Sequence, residues 1–261
     1  MLKPATLKAI HRSEHATLYE TDNFKDGLYF IEKYRKNLKK ILVLLDLDNT
    51  VLSYRHTLGT DQWFDFDYNE FIKQGITPQK AKETTLQYYL DLVKKIDSED
   101  VYAVEEDTPE QVRKLQAKGV NTLLLTSRGD YLLDKTKEQL SQFELSFNHG
   151  KYANIKRKLP QSNEGLFTNG MILTGGAHKG DCLFSALQNC EPLPELMMMW
   201  DDKLSNLEKV RDAIKKYNEK KARHNKSFKP IQFIGIRYSK LDHLVRNIDP
   251  EIIKLQKQYQ E

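Results

Sequence analysis

Ile41-Leu42-Val43-Leu44-Leu45-Asp46-Leu47-Asp48-Asn49-Thr50 sets five apolar residues directly before a polar turn that carries two carboxylates. An apolar run of this length, closed by turn formers, reads as a strand, and its unbroken apolarity points to burial on both faces, as in a parallel sheet. Asp46 and Asp48 then stand two apart at the strand's carboxyl end. If the backbone turns there, both face one cavity, one placed to attack and the other to donate a proton. A carboxylate that attacks phosphorus gives an aspartyl-phosphate, which splits a hard displacement into two easier ones. The same residues would serve to end a strand and cap a helix, so the reading depends on what accompanies them.

Two further apolar runs end at residues of chemical interest: Thr122 to Leu125 before Thr126, and Leu196 to Trp200 before Asp201. A fourth strand is expected at Ile231 to Ile236 and a weaker one around Leu145 to Phe147. Between them the stretch from Thr108-Pro109 to Gly119 has the proline at its start and glycine at its end that a helix prefers. Strand, helix and strand in this order give a doubly wound, Rossmann-like parallel sheet of α/β class, in which ligands bind outside the carboxyl ends of the strands. Thr126 and Ser127 at such an end, followed by a helix start, suit phosphate oxygens. Lys179, in Gly175-Gly176-Ala177-His178-Lys179-Gly180, would set a point charge on the same phosphate. Asp201 and Asp202 supply hard oxygens for a magnesium ion (Mg2+) beside Asp46. Each is commonplace alone; four in order, each at a strand end or a helix start, are not.

The insertion between the first and second of these strands, residues 54–107, carries the aromatic run Trp63-Phe64-Asp65-Phe66 and a helix expected from Pro78 to Ile96, and reads as a cap. Residues 41–53 and 108–248 form the core domain. Residues 1–40 are expected to be a helical segment packed on it, and 249–261 a last helix, whose end at the chain terminus suggests a longer natural protein with a further domain. The glycines around Met171-Ile172-Leu173 suggest a hairpin or flap between Tyr152 and Gly176.

With 261 residues, 39% hydrophobic and 30% charged, the chain can bury a real core. The net charge of +4, its signs interspersed, is too small to imply nucleic acid. Cys182 and Cys190 read as reduced thiols. The charged N-terminus and the lack of a long apolar stretch predict a cytoplasmic chain without a membrane span. Oligomeric state is silent.

Taken together, Asp46-Leu47-Asp48-Asn49-Thr50, Leu125-Thr126-Ser127, Lys179, and Asp201-Asp202 with Asn206 resemble the four motifs of the haloacid dehalogenase (HAD) superfamily over residues 41 to about 240. The resemblance implies Asp46 as nucleophile, Asp48 as general acid then base, and Thr126 and Lys179 as phosphate ligands. Magnesium would be held by Asp46, the Asp48 carbonyl and the fourth motif. The spacing from Asp202 to Asn206 matches the superfamily's acid-x-x-x-acid form, so the resemblance implies Asp202 as direct ligand, with Asp201 and Asn206 acting through water or from behind. Asp48 is what the superfamily's phosphatases and phosphomutases keep, so phosphomonoester hydrolysis is the leading expectation. Phosphotransfer to an alcohol and a binding module without turnover are the alternatives.

Leu58 to Phe64, Leu125 to Gly129 and Gly175 to Gly180 look like a HAD subfamily that includes secreted bacterial effector phosphatases, for which phosphotyrosine is a plausible substrate and a host cytosol the place of action. Trp63 and Phe64 would wall an aromatic substrate or fill the cap's own core. Arg128 would reach a second anionic group or pair with a helix carboxylate.

Overall fold

The protein is represented by a computed structural model that describes residues 4, 6–57, 60–95, 100–246, 249, 251 and 253. The strands are β1 (Lys8–Arg12), β2 (Ala16–Thr21), β3 (Ile41–Leu45), β4 (Leu52–Tyr54), β5 (Val101–Ala103), β6 (Asn121–Thr126), β7 (Lys156–Lys158), β8 (Leu166–Thr168), β9 (Met171–Leu173), β10 (Leu196–Asp201) and β11 (Gln232–Tyr238). The α-helices are α1 (Phe24–Lys33), α2 (Asp61–Lys73), α3 (Pro78–Lys95), α4 (Thr108–Ala117), α5 (Leu133–Ser141), α6 (Lys179–Ala186), α7 (Leu204–His224) and α8 (Asp242–Arg246).

One nine-stranded sheet runs β1-β2-β11-β10-β3-β6-β9-β8-β7, and β2, β11, β10, β3, β6 and β9 are mutually parallel. The expected α/β class with a large parallel sheet is what the chain adopts. Its centre is buried on both faces, and the pleat divides the apolar runs accordingly. Ile41, Val43 and Leu45 pack with Phe24 of α1 and Val112 of α4. Leu42 and Leu44 pack with Leu183 of α6 and Val210 of α7 on the opposite side. Met198 and Trp200 join the first cluster, while Met197 and Met199 join the second.

The insertion forms two helices, α2 and α3, carried between β4 and β5, which pair antiparallel to each other. Trp63, Tyr89, Leu92 and Val93 make a small core of its own with Tyr54, Val101 and Leu132. Leu58, Gly59 and Ile96 lie outside the described residues, as does most of the stretch from Asp249 onward.

Two expectations are corrected. Residues 1–40 are not wholly helical: β1 and β2 form one side of the sheet and only then does α1 follow. All five residues of β1 are exposed and β2 buries only Leu18 and Thr21, a spacing of three that imitates a helix. Leu145 to Phe147 is not a strand; Leu145 and Phe147 are buried around an exposed Ser146, imitating alternation, but the neighbouring place beside β6 belongs to β9. Of the hairpin or flap expected in the glycine-rich segment, the hairpin is what forms: β8 and β9 pair through the left-handed Asn169-Gly170 turn, and β9 lies parallel to β6 in the main sheet.

Candidate active site

β3 and β10 are parallel neighbours with Leu45 opposite Trp200, so the next residues, Asp46 and Asp201, leave the same edge of the sheet side by side. The Asp46 amide still donates to the Trp200 carbonyl at 3.0 Å. Beyond it the chain turns through Asn49, whose φ of 61° is tolerable for asparagine. The turn is fastened by Val51 and Leu52 amides donating to the Leu47 carbonyl and by Ser53 Oγ donating to Asn49 Oδ1 at 3.0 Å.

Lys179, the first residue of α6, is 1% exposed and reaches under both strand ends. Its Nζ donates to Asp46 Oδ1 at 2.7 Å and Asp201 Oδ2 at 2.8 Å. Asp201 accepts also from the Lys203 amide and from Asn206 Nδ2 at 3.0 Å, so every oxygen of this fully buried carboxylate is held. Thr50 Oγ1 accepts from the Asp202 amide at 3.1 Å, tying the turn after β3 to the turn after β10. Asp46, Asp201 and Asp202 each bring a carboxylate oxygen to within 4.8 Å of the others.

The electrostatics of this trio are strained. Burial pushes Asp46 up to about 7 against the pull of Lys179, and the charge of Asp201 adds to the push. Burial works against the Lys179 ammonium too, but its two carboxylate partners hold it above its ordinary value. Two buried carboxylates around one ammonium leave an excess negative charge, the situation a divalent cation relieves.

Above the trio lies a cavity of about 350 Å³ whose lining includes Asp46, Asp48, Ser127, Arg128 and Asn206 from the core and Phe64, Lys82, Leu86 and Tyr89 from the cap. Tyr131 lines it as well.

The expected residues fall into place unevenly. Asp46, Lys179, Asp201, Asp202 and Asn206 converge. Asp201 and Asp202 both reach the carboxylate cluster, so spacing alone does not choose between them as direct ligand. Ser127 is exposed to the cavity, whereas Thr126 is fully buried and its Oγ1 accepts from the Arg128 amide at 3.2 Å. Phe64 lines the cavity and Trp63 does not; the latter is 2% exposed within the cap core. Arg128 pairs not with a helix carboxylate but with Asp48, in the turn after β3. Thr50, Tyr54 and Lys82 also join the site; Thr50 is legible only as part of its motif, and nothing local in the sequence marks the other two.

Residues 20–261 match the family described as "Protein of unknown function (DUF2608)", and the chain belongs to that family. A protein of Chlamydia pneumoniae is 25% identical over 234 residues, covering 90% of this chain and 76% of its own length. One of Chlamydia trachomatis serovar D is 22% identical over 256 residues, covering 98% and 84%. Both bear the name "Putative outer membrane protein". Among solved structures, a haloacid dehalogenase-like family hydrolase of Streptococcus pneumoniae is similar at a TM-score of 0.46 and 13% identity, over 79% of this chain and 98% of that one. A structure described as a predicted phosphatase of Clostridium acetobutylicum is similar at 0.46 and 13%, over 78% and 96%.

The names of the chlamydial relatives overturn the expectation of a cytoplasmic chain. That expectation leaned on the absence of an apolar stretch, which speaks only of helical spans. Among the described residues no helix is long and apolar enough to cross a membrane.

Proposed function

We propose that the chain is a HAD-type, magnesium-dependent phosphomonoester phosphatase. The observation that carries the reading is the buried Lys179 bridging Asp46 and Asp201 at the ends of adjacent parallel strands, with Asp202 alongside. An Asp46 oxygen attacks the phosphorus as the bond to the leaving oxygen breaks, and Asp48 supplies the proton that oxygen needs. In the second half Asp48 takes a proton from the incoming water, the water oxygen bonds to phosphorus, and the Asp46–phosphorus bond breaks to release inorganic phosphate. Lys179, Ser127 and the backbone around Thr126 would hold the phosphate oxygens. The carboxylates of Asp46, Asp201 and Asp202 and the Asp48 carbonyl are the hard donors that suit magnesium. When bound, magnesium would offset the repulsion between a carboxylate nucleophile and an anionic ester.

Phe64, Leu86, Tyr89 and Tyr131 give the cavity an apolar wall over the reacting end, which favours an aryl phosphate. Phosphotyrosine in a protein or peptide is the substrate we assign, and the likeness of Leu125 to Gly129 and Gly175 to Gly180 to effector phosphatases supports the same choice. Wild type and Asp46→Asn should be compared with magnesium on sugar phosphates, nucleotides, phosphoamino acids and phosphopeptides. Wild type is expected to turn over the aryl phosphates best and the variant to lose activity toward all of them. Full activity in Asp46→Asn would rule out Asp46 as nucleophile.

A further inference from the structure

The guanidinium of Arg128 is 2% exposed, yet it stands in the wall of the cavity. Its Nε donates to Asp48 Oδ2 at 3.1 Å and its Nη2 to Asp48 Oδ1 at 2.8 Å, a two-pronged grip on both oxygens of one carboxylate. Nη1 donates to Thr136 Oγ1 at 2.9 Å and Gln139 Oε1 at 2.7 Å, both on α5, and Nη2 donates also to Tyr54 Oη at 3.0 Å. A guanidinium has five N–H donors. These five hydrogen bonds use all of them, so no donor is left for an anionic group of the substrate.

We propose that Arg128 is a positioning residue that acts through Asp48, fixing the plane and reach of that carboxylate. It also ties Asp48 to the cap, because Tyr54 ends β4, the strand from which the chain leaves for α2 and α3. The proposal rests on the phosphatase reading, in which Asp48 moves the proton. A fork that matches a carboxylate in two places sets its orientation as a point charge cannot, so lysine is not an equivalent replacement. Tyr54→Phe removes one hydroxyl from the network and keeps the ring, so it perturbs the grip without leaving a buried charge unpaired.

The test is a kinetic cycle with p-nitrophenyl phosphate and magnesium, using Arg128→Gln, Arg128→Lys, Tyr54→Phe and Asp48→Asn singly, and the first three again in the Asp48→Asn background. Arg128→Gln is expected to lower kcat about a hundredfold with KM within about threefold, as loss of a placed proton donor does. Arg128→Lys should fail to restore it, Tyr54→Phe should lower kcat several-fold, and none of the three should lower it further once Asp48 is Asn. A rise in KM at unchanged kcat, or effects that multiply with that of Asp48→Asn, would overturn the proposal and leave the phosphatase reading intact. If Arg128→Gln does not fold, Arg128→Lys and Tyr54→Phe carry the same comparison. Wild type inert toward every phosphoester would sink the phosphatase reading itself, and this proposal with it.

Discussion

At Asp46 two forces oppose each other: removal from water favours its protonated form, while the Lys179 ammonium at 2.7 Å favours its charge. Burial wins, and the group rises from 3.8 to about 7. Between those two values the folded chain holds a proton that the unfolded chain has lost, so without metal its stability falls as pH rises through this window and is level above it. A cation that needs the carboxylate must displace the same proton, so magnesium affinity should weaken as pH falls below about 7. Thermal shift with saturating magnesium should therefore be large at about pH 8 and mostly gone by about pH 5; an equal shift at both would show that Asp46 is not the proton's site. The carboxylates and Lys179 were legible in sequence because each follows an apolar run or sits in a glycine-rich loop. The grip of Arg128 on Asp48 and the bond from the Asp202 amide to Thr50 were not, because the partners lie 80 and 152 positions apart and nothing local marks a pairing across that distance.

Among the elements, the central strands were legible almost to the residue, since a strand buried on both faces is apolar throughout and its end is marked by polarity. The edges were not: β1 is exposed along its length, and β7 reads Lys-Arg-Lys, so neither advertises a sheet. α6 matters most to the site because it aims Lys179, and its seating depends on Gly180. A Cβ there would lie 2.4 Å from the Lys209 carbonyl oxygen and 2.7 Å from Ala213 Cβ, both on α7. Neither is a flexible side-chain end, so α6 must shift. Gly180→Ala should cost on the order of 1–3 kcal/mol, as overpacking does, and should lower phosphate release more than its loss of stability accounts for. Urea unfolding and steady-state rates on the same samples check this; a variant as stable and active as wild type would mean that α6 and α7 can separate without disturbing Lys179.

For the whole molecule, the core gathers Asp46, Asp201 and Asp202 at the carboxyl ends of its strands, and Phe64, Leu86 and Tyr89 of the cap line the cavity that Asp46 and Asp48 also line. The insertion was visible in sequence as an interruption of strand and helix alternation, but which of its aromatics face the cavity was not. Trp63 and Phe64 are adjacent and of like chemistry, and only the roll of α2 sends one into the cap core and the other to the cavity. In the proposed reaction this cavity holds a phosphate while Asp46 attacks it. Rapid acid quench of the enzyme with a radiolabelled aryl phosphate and magnesium, followed by peptide mapping, tests for the resulting aspartyl-phosphate directly. Label on the peptide containing Asp46, lost on exposure to base or hydroxylamine, is the predicted result. Phosphate release with no labelled enzyme at any time, or label on another residue, would contradict it.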